Sequence, residues 1–103
     1  MAKRINIMAN WKEFNPLSER SMKEDFNDRP SPFSQKIIAY LNSGELVSAS
    51  PSSEIDVFSG ERITQTSCIL TDGEYSWLNS LGYYVHKYNL QLPKEFEERI
   101  INI

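Results

Sequence analysis

The stretch from Ile69 to Ile103, ILTDGEYSWLNSLGYYVHKYNLQLPKEFEERIINI, decides the fold. A strand over Ile63–Leu70 runs into Asp72-Gly73, the strongest short hairpin signal in the chain, and that dipeptide predicts a type I′ turn. A brief return strand, Glu74–Trp77, passes directly into a helix over residues 77–89. In it Trp77, Leu81, Tyr84, Val85 and Tyr88 fall at i, i+4, i+7, i+8 and i+11, one apolar stripe. Asn89 suits a left-handed stop, and Pro93 opens a last helix over 93–102. Leu92, Phe96, Ile100 and Ile103 line the inner side of that helix, while Glu95 and Arg99 stand one turn apart and are placed to pair.

Upstream of this unit, Ser31-Pro32 reads as a helix start and Asn42-Ser43-Gly44 as its end, with Gly44 free to turn left-handed. Between them Phe33, Ile37, Tyr40 and Leu41 share a face, which predicts a helix over 32–43. Glu45–Ser50 alternates like a strand with Val47 and Ala49 on one side, and Ile55–Phe58 reads as a short strand or extended loop. The expected fold is a single α+β domain: a three- or four-stranded antiparallel meander covered by two or three helices. Its expected core holds Ile37, Leu41, Val47, Ile69, Trp77, Leu81, Val85, Phe96 and Ile100. Replacing Trp77 by alanine is expected to cost about 3–5 kcal/mol.

Residues 1–31 read separately from the core domain at 32–103, either as an arm or as a short strand and helix. Ile5 and Ile7 alternate with polar neighbours. Trp11 and Phe14 are candidates to pin the segment down, and Ser18 is a candidate cap for a short helix carrying Met22 and Phe26.

Composition narrows the function. One hundred and three residues make one domain, and 40% hydrophobic with 12% aromatic residues is enough for a packed core. The single Cys68 excludes an internal disulfide and a multi-cysteine zinc site. No apolar run approaches the roughly 20 residues of a membrane span, and no signal-peptide core opens the chain. The expectation is therefore a soluble cytoplasmic protein without membrane association. The net charge is −3, with residues 33–103 carrying nine acids against five bases. That balance disfavours nucleic acid and favours a basic partner.

No motif specifies a reaction. Cys68 sits mid-strand and His86 lies off the apolar stripe, so the pair reads as a small buried residue and a surface histidine, both dispensable. Glu54, Asp56, Glu61, Asp72 and Glu74 lie in or beside loops, but their spacing matches no calcium loop. The four glycines are isolated, and neither a phosphate cradle nor a dinucleotide fingerprint is present. No catalytic residue, cofactor or metal is assigned. The order TDGEYSW…SLGYYVHKYNLQLPKEF, over residues 54–101 and beginning near Asp56-Val57-Phe58-Ser59-Gly60-Glu61, resembles small uncharacterised bacterial proteins. The resemblance implies a bacterial origin and supports the fold, and it implies no activity.

What remains is an acidic helical surface. Tyr83, His86 and Lys87 lie off the stripe of the first C-terminal helix, and Glu95, Glu97 and Glu98 lie on the second. The expectation is a non-enzymatic module, immunity-like or adaptor-like, that docks a basic protein through these residues. The competing reading of the same residues is a plain solvated face, which is what exposed charges more often are. The competing class is a small enzyme with an unrecognised site.

Overall fold

A computed structural model describes residues 4–103. The chain is α+β. Six strands, β1 (Ile5–Asn6), β2 (Glu45–Ser50), β3 (Glu54–Ile55), β4 (Arg62–Thr64), β5 (Ser67–Thr71) and β6 (Tyr75–Leu78), accompany three helices, α1 (Ser34–Asn42), α2 (Leu81–Tyr88) and α3 (Lys94–Ile101). The main sheet has the order β1-β6-β5-β2, antiparallel except for β1 beside β6, and β3 with β4 forms a separate ribbon. The expected strand Ile63–Leu70 is thus two strands serving two sheets. The break falls at Gln65-Thr66, where the Thr64 hydroxyl donates to the Thr66 carbonyl at 2.7 Å.

Residues 4–31 build into the same core. Their chain forms β1 and two short 3-10 turns, Ile7–Asn10 and Met22–Asp25. Ile7, Met8, Trp11 and Met22 are buried with the residues of the helices. The second turn is capped by Ser21 rather than Ser18. Ser21 and Glu24 form a capping box, because each side chain reaches a backbone N–H that the short turn leaves unpaired. Trp11 donates its indole N–H to Asp25 at 2.8 Å, and Arg20 closes on the same carboxylate at 2.5 Å.

The predicted core is met at Ile37, Leu41, Trp77, Leu81, Val85, Phe96 and Ile100, and missed at two positions. Val47 is 42% and Ile69 40% exposed. β2 is the sheet's outer strand, all six of its residues are exposed, and its register shifts between Leu46 and Ser48, which lifts Val47 out of the alternation. Ile69 pairs with Leu78 while Leu70 pairs with Trp77, so strand alternation turns Ile69 to the face opposite the tryptophan. Phe33 and Ile103, expected on the helix stripes, are exposed because each lies just outside its helix.

Trp77 is buried, but on β6 rather than at the head of a helix, which begins at Leu81. Its ring packs on Phe96 and Tyr40, with centroids 5.3 and 6.0 Å away, and its N–H donates to the Leu41 carbonyl at 3.0 Å. Gly44 keeps an ordinary φ, and its smallness serves packing: a Cβ there would stand 2.8 Å from the Trp77 ring. The Asp72-Gly73 turn is not type I′, since Gly73 has φ 103° but Asp72 does not share a positive φ. Asp72 instead accepts the N–H groups of Glu74 and Tyr75 through its carboxylate, and Thr71 accepts that of Gly73. Asn89 is left-handed as expected, at φ 52°. Arg99 does not pair with Glu95. It reaches Asp72 at 3.2 Å and Glu74 at 2.5 Å, fastening α3 to the β5–β6 turn, while Tyr40 of α1 donates to Asp72 at 2.5 Å.

Candidate functional site

The densest polar arrangement surrounds Asp56, a side chain shut off from solvent at the end of β3. The chain folds back on itself here. Asp56 donates its N–H to the Glu61 carbonyl at 2.8 Å and accepts the Gly60 N–H at 2.8 Å, with Gly60 left-handed at φ 80°. One carboxylate oxygen accepts the N–H groups of Phe58 and Ser59 at 2.8 and 3.0 Å, the local turn that aspartate favours. The other oxygen accepts the Tyr88 hydroxyl at 2.6 Å and the Tyr83 hydroxyl at 2.8 Å, and the Lys87 ammonium stands 3.6 Å away. Lys87 also lies 3.8 Å from the exposed Glu61.

Helix periodicity explains the convergence. Tyr84 and Tyr88 are four residues apart on α2, as are Tyr83 and Lys87, so one flank of the helix presents all of these polar tips to the 56–61 loop. Tyr84 receives the Val57 N–H at 3.1 Å. Phe26 stacks on Tyr88 with centroids 4.4 Å apart, and Phe58 meets both Phe26 and Tyr88 edge-on at 5.2 and 5.8 Å. Residues from the N-terminal segment, the loop and α2 thereby share one aromatic cluster.

Burial by itself would raise the Asp56 pKa, but the hydrogen bonds from Tyr88, Phe58, Tyr83 and Ser59 outweigh it and hold the carboxyl well below the usual range. Burial pushes the Tyr84 hydroxyl up to about 12. Perturbed groups in a cluster are often the mark of a reactive site. Here, however, the two Asp56 oxygens already accept four hydrogen bonds and the carboxylate charge faces Lys87, so its lone pairs and its charge are both engaged within the fold. The arrangement is a lock between loop and helix. Among the described residues, no group of three or more His, Cys, Asp or Glu is placed to hold a metal, and no buried side-chain polar atom lacks a partner.

The six residues expected at a partner surface divide between two helices, each packed on α1. Tyr83 is half-buried with its hydroxyl turned inward on Asp56, and Lys87 leans over the same carboxylate. His86 is exposed beside them. On α3, Glu95 and Glu98 are exposed, and Glu97 is half-buried over a cleft, where it accepts a hydrogen bond from the Gln91 side chain. Cys68 is half-buried on β5 with Thr66 its side-chain neighbour at 3.7 Å, and no hydrogen bond joins it to His86.

The Asp56 lock was only partly readable in the sequence. Asp-x-x-Ser-Gly signals a turn, but the tyrosines that complete the centre lie 27 and 32 residues further on. No family model, curated protein or solved structure matches this chain, so its function is argued from its own residues.

Proposed function

We propose that the chain is a non-enzymatic module that binds another protein, one with a basic surface, in the manner of an immunity protein or an adaptor. The observation that carries this reading is the division of labour on α3. Phe96 and Ile100 are spent on the core and Arg99 on the Asp72 turn. Glu95, Glu97 and Glu98 remain within one turn, and among the described residues the one ion pair any of them makes is that of Glu98 with Lys94, at 4.0 Å, an exposed pair of little strength. A helix so fastened presents its acids rigidly, which reduces the ordering cost of association. His86 belongs to the contacting set, whereas Tyr83 and Lys87 act from behind it by holding α2 to the 56–61 loop. A bacterial, cytoplasmic setting is part of the proposal and rests on the resemblance carried by residues 54–101. No helix among the described residues is long and apolar enough to cross a membrane.

The test is affinity capture from the source organism with the wild type and a Glu95→Lys, Glu98→Lys variant, followed by measured binding of whatever is retained. The reading expects a basic protein whose affinity falls at least about tenfold in the variant and weakens with added salt. Retention of nothing specific, or equal affinity for both proteins, refutes it.

A further inference from the structure

We infer that the cleft between residues 27–34, the end of α2 and Glu97 seats a lysine or arginine side chain of the basic partner, an inference that rests on the reading above. The cleft has a volume of about 380 Å³, at the small end of ligand pockets. Its floor is apolar, made by Ile37, Val85 and Leu90. Its walls are tied together before any ligand arrives: Asn27 donates to the Asn89 carbonyl at 3.0 Å, Asn89 returns a bond to the Asn27 carbonyl at 3.1 Å, and the Gln91 N–H donates to the Asp25 carbonyl at 2.7 Å.

Three charged residues line the space, namely Asp28, Arg29 and Glu97, a net of one negative charge. Asp28 and Arg29 are exposed, whereas Glu97 is half-buried. No cation lies within ion-pair distance of Glu97 among the described residues, and its one polar partner is the neutral Gln91 amide. Burial raises the Glu97 pKa, and the Gln91 hydrogen bond only partly offsets that. A half-buried carboxylate in ion-pair contact with no cation, above an apolar floor, complements a long aliphatic stem that ends in a positive charge. Such a side chain would lay its methylenes on Ile37, Val85 and Leu90 and place its charge at Glu97.

The probes are N-acetyl-lysine N-methylamide, its norleucine analogue with the same stem and no ammonium, and its glutamate analogue. Each is titrated into isotope-labelled full-length protein and followed by amide NMR. The lysine probe is expected to shift Ser31, Ser34 and Gln91 saturably and to lower the Glu97 carboxyl pKa. The norleucine probe should bind at least about tenfold more weakly, and Glu97→Gln should weaken the lysine probe by a similar factor. Glu95→Gln removes the same charge outside the cleft and should leave the titration unchanged, and circular dichroism checks that both variants fold. Equal binding of lysine and norleucine probes, shifts scattered beyond the cleft, preference for the glutamate probe at Arg29, or full binding by Glu97→Gln each overturn the inference. The two readings fail separately. A partner that depends on Glu95 and Glu98 but not on Glu97 removes the cleft and keeps the module, whereas a lysine-binding cleft with no basic partner removes the module.

Discussion

Asp56 and Gly44 show how single side chains set the packing. Asp56→Ala would strand two tyrosine hydroxyls and two backbone N–H groups beside Lys87, and charge-assisted hydrogen bonds of this kind are costly to lose. The expected loss is about 3 kcal/mol or more, read by denaturant unfolding. Tyr83→Phe and Tyr88→Phe should each cost about 1–2 kcal/mol, and the double variant should deviate from additivity because they share one oxygen. Gly44→Ala should cost about 1–3 kcal/mol through its collision with Trp77. Trp77→Ala should itself cost about 3–5 kcal/mol. With the indole gone, adding Gly44→Ala should cost measurably less than it does in the wild type, and an unchanged increment would remove Trp77 as the cause.

The β5–β6 turn and α3 behave as one unit through Arg99. The guanidinium joins Asp72 and Glu74 on the turn, and Tyr40 of α1 closes on the same Asp72. Arg99→Ala is therefore expected to raise amide exchange in α3 and at residues 72–75 ahead of the rest of the chain, while β2 and β5 keep their protection. Uniform acceleration throughout would mean that the clamp contributes to global stability only. Gly73→Ala tests the turn itself: at φ 103° an alanine is strained by about 1–3 kcal/mol, and an unchanged melting temperature would contradict the observed conformation.

The molecule as a whole depends on its first quarter. Trp11 and Met22 are fully buried beside residues of the helices, so removal of residues 1–31 should abolish cooperative unfolding rather than trim a tail. Acid should act on the whole domain as well. Asp56, Asp25, Asp72 and Glu13 all have carboxyl pKa values lowered by folding. Their stabilisation is complete above the ordinary value, 3.8 for aspartate, and is lost as the pH falls through it toward the folded values. Glu97 runs the other way, since its raised pKa makes ionisation at neutral pH unfavourable to the fold. Stability is therefore expected to fall on acidification below about pH 4, and Asp56→Asn should flatten that fall. An acid limb of the same slope in the variant would show that Asp56 titrates alike in both states.

The helices and their inner faces could be read from the chain alone, because helix burial repeats every three to four residues and needs only local order. Ile37, Leu41, Leu81, Val85, Phe96 and Ile100 fell where that period put them, and Asn89 stopped α2 in the left-handed conformation expected of it. Trp77 misled as to element, since spacing of four from Leu81 suits a helix as well as a strand that ends just before one. Val47 and Ile69 looked internal because alternation distinguishes two faces of a strand but cannot say which face is covered, or whether the strand lies at an edge. The burial of Trp11, the clamp of Arg99 on Asp72, and the convergence of Tyr83, Tyr88 and Lys87 on Asp56 join residues far apart in the chain. Tertiary structure alone decided these, because such contacts depend on which elements pack together and leave no periodic trace in the sequence.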